Sequence, residues 1–179
     1  MLRFKLRIQD LDKRHPGLTK GVAAGYTEAA QVCLGRHHSP PTDLTLDRGK
    51  LINAVAEWEA PNERTRHAWA NEIDTTEAGA YCVALAAIEI TDQLVAIRRA
   101  ETHTGADYYV APKGSTAEDL EQAFRLEVSG MNEASQVLVK TRLRQKLDQT
   151  ARGRSSLPAI AAVVAFSPPQ VAIADAPKK

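Results

Sequence analysis

Two carboxylates in the second half of the chain have the residue type and the setting that a divalent-cation site needs. Asp107 opens a short segment of aromatic and β-branched residues, and Glu127 lies in a segment where apolar and polar residues alternate. Both patterns predict β-strands. Carboxylates on adjacent strands that point to one face can bind Mg²⁺ or Mn²⁺, and such a cation assists phosphodiester hydrolysis. The same residues are also typical of exposed positions on half-buried strands, so both interpretations stay open here.

The charges around these two residues are unevenly distributed. Residues 92–133 carry eight acidic side chains against four basic ones, whereas residues 134–154 carry six basic side chains against one acidic one. An acidic cluster followed by a basic stretch suits a cation site beside a groove for a polyanion such as nucleic acid. It also suits an ordinary solvated surface. The six bases are Lys140, Arg142, Arg144, Lys146, Arg152 and Arg154.

The elements that must position these residues alternate between helices and strands. From residue 76 onward we predict a helix (78–91), three strands (93–100, 106–111 and 123–129, the last ended by Gly130), a helix (133–151) and two strands (159–166 and 170–175). This order predicts an α/β fold with a mixed central sheet and flanking helices.

The first part of the chain predicts smaller elements and carries no motif that we can attach to a chemistry. We expect a strand (2–8), a helix (18–34), two short strands (43–47 and 54–59) and a short helix through Trp69. We therefore divide the chain into an N-terminal α/β extension, residues 1–74, and a core, residues 75–179, that together form one compact unit.

The predicted core resembles the PD-(D/E)XK nuclease-like superfamily, which includes restriction endonucleases and Holliday-junction resolvases. The resemblance covers residues 76–175 and lies in the order helix–strand–strand–strand–helix–strand. Gly105-Ala106-Asp107 opens the second strand, and Glu127-Val128-Ser129 closes the third. It implies a restriction-endonuclease-like core with Asp107 and Glu127 as ligands of Mg²⁺ or Mn²⁺. It also implies a further catalytic carboxylate on the preceding helix, for which Glu77 is the candidate and Glu89 the alternative. Glu101, at the turn between the first two strands, is a third possibility.

One position departs from the family pattern. Active members carry a lysine two residues after the third-strand carboxylate, and this candidate catalytic position is Ser129 here. Either a base from elsewhere supplies the positive charge (Arg125, Lys140 or Arg144), or the site does not catalyse the reaction. Glu77 also has a simpler interpretation, because Thr75-Thr76-Glu77 is typical of a helix cap and an acidic first turn.

These features give hypotheses of different classes. The first is a metal-dependent nuclease that cleaves DNA or RNA, in repair or in defence against phages and mobile elements, with the six bases named above on the phosphate backbone. The second is a catalytically inactive nuclease-like subunit that binds a partner protein or a nucleic-acid complex, with apolar surface at residues 159–173 as the interface. A third is an unrelated small α/β binding domain.

Length and composition exclude several other classes of protein. Of 179 residues, 44% are hydrophobic and 25% charged, which excludes collagen-like, coiled-coil and disordered chains. Cys33 and Cys82 are too few for a disulfide scaffold. No stretch reaches the roughly 18 apolar residues of a membrane helix, and the N-terminus has no signal-peptide core. We therefore expect a soluble cytoplasmic protein with no membrane partner.

Overall fold

The computed structural model, which describes residues 3–177, has a mixed α/β fold with one eight-stranded sheet and four α-helices. The prediction of an α/β fold with a mixed central sheet is confirmed. The strands are β1 (Phe4–Leu6), β2 (Thr42–Asp47), β3 (Leu51–Ala56), β4 (Leu94–Arg99), β5 (Tyr108–Pro112), β6 (Phe124–Glu133), β7 (Ala159–Ser167) and β8 (Pro169–Asp175). The helices are α1 (Lys20–His37), α2 (Glu63–Ala68), α3 (Glu72–Thr91) and α4 (Gln136–Ala151).

The sheet is continuous through both parts of the chain, in the strand order β1-β3-β2-β8-β7-β6-β5-β4. Strands β4, β5 and β6 form an antiparallel meander, and β7 returns parallel to β6 after the crossover through α4. The parallel pair of β2 with β8 joins the N-terminal strands to the same sheet. The boundary expected between residues 74 and 75 falls inside α3, so the two parts share a helix as well as a sheet.

Helices cover both faces of the sheet. On one face, α3 packs on β6 and β7 and is covered in turn by α1; on the other, α4 packs on β7 and β8. The side chains of β7 alternate accordingly, with Ile160 and Val164 in the core beneath α3 and Val163 packed with Val139 of α4. The expectation of an apolar surface at residues 159–173 is therefore wrong. Apart from residues 167–170, these residues are buried, because β7 and the start of β8 lie in the middle of a sheet covered on both faces.

Helix α3 begins earlier than the sequence pattern suggested. Its N-cap is Asn71, whose side-chain oxygen accepts hydrogen bonds from the backbone N–H groups of Ile73 and Asp74 at 3.0 and 3.2 Å. The interpretation of Thr75-Thr76-Glu77 as a cap and first turn is therefore wrong, because Glu77 lies beyond the first turn of the helix. A favourable interaction with the helix dipole falls off within that turn and does not explain its position.

Strand β6 continues past Gly130, which had been expected to end it. The ladder with β7 runs on through Met131 to Glu133. The absent side chain at Gly130 serves another purpose, since a Cβ there would lie 2.5 Å from the carbonyl oxygen of Thr76 and 2.9 Å from Cβ of Ala80. Glycine thus lets α3 approach the edge of β6 closely.

The N-terminal elements differ from expectation mainly in their bounds. The second strand of the first hairpin is residues 51–56 rather than 54–59, because its register with β2 pairs Thr42 with Ala56 and Asp47 with Leu51. Of the strand expected at 2–8, Leu2 lies outside the described residues and residues 4–6 are extended. Within residues 3–177, no helix combines the length and apolar character required to cross a membrane.

Candidate functional site

The candidate site lies where strands β5 and β6 separate. Their pairing ends at Tyr108 and Leu126. The backbone N–H of Asp107 donates to the carbonyl of Leu126 at 2.8 Å, and the carboxylate of Asp107 accepts from the N–H of Val128 at 2.8 Å. Asp107 therefore caps the open edge of β6 with its own side chain. In an extended strand the carbonyl of a residue faces the same side as its N–H, so the carbonyl of Val128 also faces this edge.

Glu127 points to the face of the sheet that α4 covers and forms an ion pair with that helix. Its Oε1 atom accepts a hydrogen bond from Nζ of Lys146 at 2.7 Å, and Lys146 also donates to Oε1 of Gln149 at 3.2 Å. The side chains of Glu127 and Lys146 are only 7% and 19% exposed. A pair this sheltered from water is held in one geometry and is weakly screened by salt.

The electrostatic setting of Glu127 favours its protonated form. Burial raises the pKa of this carboxyl, and so does the negative charge of Asp107, while the ammonium of Lys146 acts in the opposite direction. Two neighbouring carboxylates repel each other, which makes the state with both charged less favourable. A divalent cation between them would offset this repulsion and stabilise both in the charged form.

Both carboxylates open into one cavity of about 410 Å³. Four acidic side chains and one basic side chain line it, so the cavity is negatively charged overall. A concave, acidic site attracts cations and can concentrate them. The lining residues that bear on the chemistry are Glu72, Glu77, Tyr81, Asp107, Glu127, Ser129 and Lys146.

Tyr81 of α3 connects the helix to the carboxylates. Its hydroxyl lies 2.9 Å from Oδ1 of Asp107 and 3.2 Å from Oε1 of Glu77, and it accepts a hydrogen bond from Nη2 of Arg99 at 3.2 Å. A phenol has one proton and can donate to only one of the two carboxylates at a time. The other carboxylate oxygen then remains free to meet a cation. Tyr81 is not identified from the sequence alone.

The alternatives to Glu77 lie elsewhere. Glu89 pairs with Arg14 at 2.8 Å, on the part of α3 that packs against the N-terminal turn. Glu101 pairs with Arg98 and accepts a hydrogen bond from the hydroxyl of Tyr109 at 2.8 Å. Neither residue lines the cavity, whereas Glu77 does.

The base beside Glu127 is Lys146, and none of the three bases expected to replace the motif lysine occupies this place. Arg125 is buried beneath the loops and donates to the carbonyls of Thr104 and Leu157 at 2.7 and 3.0 Å. Its guanidinium therefore holds these loops together and does not face the cavity. Lys140 and Arg144 line a different depression beside β2 and β8. Ser129 lies in the cavity itself.

A signal for Lys146 was present in the sequence. Val139 belongs to the apolar stripe of α4, and Lys146 follows it by seven residues, or about two helical turns, which places both on the same face. The other bases predicted to contact nucleic acid are solvent-exposed: Lys140, Arg142, Arg144, Arg152 and Arg154.

The residues present fit a hard cation such as Mg²⁺. The described part of the chain holds no group of three or more His, Cys, Asp and Glu side chains arranged to bind a metal by themselves. Mg²⁺ does not need one, since it is usually bound by one or two carboxylates, waters and the phosphates of its substrate. Asp107 and Glu127 would provide the two carboxylates, and the carbonyl of Val128 faces the same edge.

Comparison with protein-family models, with curated proteins and with solved structures finds no match for this chain. The geometry of the site therefore carries the functional conclusion.

Proposed function

We propose that this protein is a metal-dependent nuclease that hydrolyses phosphodiester bonds of nucleic acid. The observation that carries the proposal is the convergence of Asp107, Glu127 and Lys146 in one acidic cavity. Two carboxylates and an ammonium are the groups that the nuclease-like resemblance implies, although the ammonium comes from α4 rather than from β6. The resemblance alone had left open a site without its positive charge, and the Lys146–Glu127 pair favours the active form.

The topology of the second half supports a restriction-endonuclease-like core. Helix α3, strands β4 to β6, helix α4 and strand β7 follow one another in the order that the resemblance requires. The antiparallel meander followed by a parallel crossover brings the start of β5 and the middle of β6 to the same edge. Asp107 and Glu127 lie at these two points.

Asp107 and Glu127 would hold the cation, which when bound would supply positive charge to the phosphate and make water a better nucleophile. Asp107 is fixed for this role by the Val128 N–H and the Tyr81 hydroxyl. Lys146 keeps Glu127 in place, and its remaining N–H donor can bind the attacking water or a phosphate oxygen. Glu77 would orient water or the cation from the α3 side of the cavity.

Cleavage of plasmid and single-stranded DNA and RNA in the presence of Mg²⁺ or Mn²⁺ tests the proposal. We expect wild-type protein to cut at least one substrate only when the cation is present. Asp107→Ala and Glu127→Ala should each abolish cutting, and Lys146→Ala should lower its rate about a hundredfold. Lys140→Ala, on the same helix outside the cavity, serves as the matched control. Metal-dependent binding without cutting by wild-type protein would contradict a nuclease and favour an inactive nucleic-acid-binding subunit.

A further inference from the structure

We propose that Arg99 binds a backbone phosphate adjacent to the phosphodiester that is cleaved. This inference rests on the proposed function and adds a substrate contact to it. Arg99 is the last residue of β4, and its guanidinium contacts Tyr81 and Asp107, two residues of the cavity lining. A phosphate held beside the carboxylate of Asp107 would therefore have this guanidinium within reach.

The guanidinium of Arg99 is held in place before any ligand binds. Its central carbon lies 4.7 Å from the ring centroid of Tyr81 and 4.8 Å from that of Tyr108. Tyr108 is buried and is fixed by a hydrogen bond of 2.7 Å between its hydroxyl and that of Tyr26. Stacking of this kind restricts a long side chain, so that little conformational entropy remains to be lost on binding.

The ion pair of Arg99 leaves most of its donors free for a further partner. Its Nη2 atom forms a long ion pair with Oδ1 of Asp107, at 3.6 Å, which is beyond hydrogen-bonding distance, and donates its hydrogen bond to the hydroxyl of Tyr81. The side chain is 49% exposed. Arginine has five N–H donors in a planar fork that matches two phosphate oxygens, so donors remain for a second partner.

The neighbouring Arg98, in the same strand, has its guanidinium engaged by other residues of the protein. It stacks on Tyr109, forms an ion pair with Glu101 and donates to the carbonyl of Ala117 at 3.4 Å. Tyr109 packs in a separate cluster away from the α3 core that contains Tyr108. Arg98 therefore has the same charge and nearly the same position in sequence but no access to the cavity, and it provides a matched control.

The test is a binding measurement on the strand type that wild-type protein cuts, with Ca²⁺ replacing Mg²⁺ so that binding occurs without hydrolysis. A series of labelled oligonucleotides carries one uncharged methylphosphonate at each successive phosphate. We expect Arg99→Ala to weaken binding about tenfold, as for loss of a charged hydrogen bond. For wild-type protein, one of the methylphosphonate positions should weaken binding. Arg99→Ala should lose this sensitivity, whereas Arg98→Ala should keep it. Arg99→Lys should recover part of the affinity.

The outcomes separate this inference from the proposed function. Coupling between Arg99 and a single phosphate, meaning that Arg99→Ala removes the effect of a methylphosphonate at one position only, supports the inference. Cleavage and binding by the wild type, with no phosphate position coupled to Arg99, overturns the inference and leaves the nuclease intact. Absence of both binding and cleavage overturns both. If Arg99 only positions Asp107, the affinity for Mn²⁺ in calorimetry should fall in Arg99→Ala; we expect it to be unchanged or higher, since a nearby positive charge is removed.

Discussion

The ammonium of Lys146 lies 2.7 Å from Oε1 of Glu127, although 19 residues separate the two in sequence. The crossover between β6 and β7 explains the contact. From Glu127 the strand runs about 20 Å to its end, and α4 then returns about 15 Å to Lys146. The long side chain of lysine covers the remaining distance. A lysine on the returning helix thus supplies an ammonium beside Glu127, which the nuclease-like resemblance implies at position 129 of the strand.

The first prediction concerns transfer of the lysine from position 146 on α4 to position 129 on β6. Ser129 is two residues from Glu127, lines the same cavity and points to the same face of the sheet. We expect Lys146→Ala to lower kcat by about a hundredfold, as for removal of one preorganised charged group. The double variant Ser129→Lys, Lys146→Ala should recover part of that loss, measured as metal-dependent cleavage under single-turnover conditions.

The single variant Ser129→Lys in the wild-type background is the control, because it shows whether the new side chain by itself lowers cleavage. If the double variant folds, as judged by its circular dichroism and Tm, yet stays as inactive as Lys146→Ala, the ammonium of Lys146 does more than supply a charge in this cavity.

The second prediction concerns pH. Burial and the charge of Asp107 raise the pKa of Glu127 above its ordinary value of 4.5, despite the opposing ammonium of Lys146. Above about pH 4 the unfolded chain therefore binds fewer protons than the folded protein, and this group lowers the free energy of unfolding as pH rises through the folded-state pKa. Glu127→Gln removes this dependence, so the variant should gain stability relative to wild type with rising pH.

Urea denaturation in metal-free buffer from about pH 4 to about pH 8 measures this difference. Mg²⁺ should stabilise wild type increasingly toward the higher pH values, because the cation competes with the proton on Glu127. If the free energy of unfolding changed with pH in the same way for wild type and Glu127→Gln, the surroundings of Glu127 would not raise the pKa of its carboxyl.

The sequence predicted the order of elements from residue 76 onward and identified the two carboxylates that share the cavity. Those residues follow from local patterns, since each lies on a recognisable strand. The partner of Glu127 was not predicted correctly, because the choice among the bases of α4 depends on which face of the helix meets the sheet. Tyr81 was missed for a related reason: the pattern of an Ala-rich helix gives no sign that its hydroxyl lies beside Asp107.

The third prediction concerns the close contact between α3 and β6. A Cβ at Gly130 would lie 2.5 Å from the carbonyl oxygen of Thr76, so Gly130→Ala must push the helix away from the strand. Overpacking of this kind costs about 1–3 kcal/mol, and the shift also moves Tyr81 and Glu77 relative to Asp107. We expect a lower Tm and a larger loss of cleavage than of substrate binding.

Gly21 near the start of α1 is the matched control, because a Cβ there would meet nothing within 4 Å. Gly21→Ala should keep wild-type cleavage and be slightly more stable, since alanine has a higher helix propensity than glycine. Equal effects of the two substitutions on cleavage would mean that the spacing between α3 and β6 does not set the geometry of the site.

The fourth prediction separates the bases of α4 by the face they occupy. Arg142 precedes Lys146 by four residues, which places it on the side of the helix that borders the cavity, whereas Arg144 lines the depression near Asp47. Both are exposed. Arg142→Ala should therefore weaken nucleic-acid binding and reduce the slope of log K against log salt by about 1, as for loss of one phosphate contact. Arg144→Ala should leave that slope nearly unchanged.

Fluorescence anisotropy across a salt series measures the slope for both variants. An equal reduction by the two variants would mean that nucleic acid lies along the whole helix, as the charge pattern of the sequence alone suggests, and that the cavity does not fix its path.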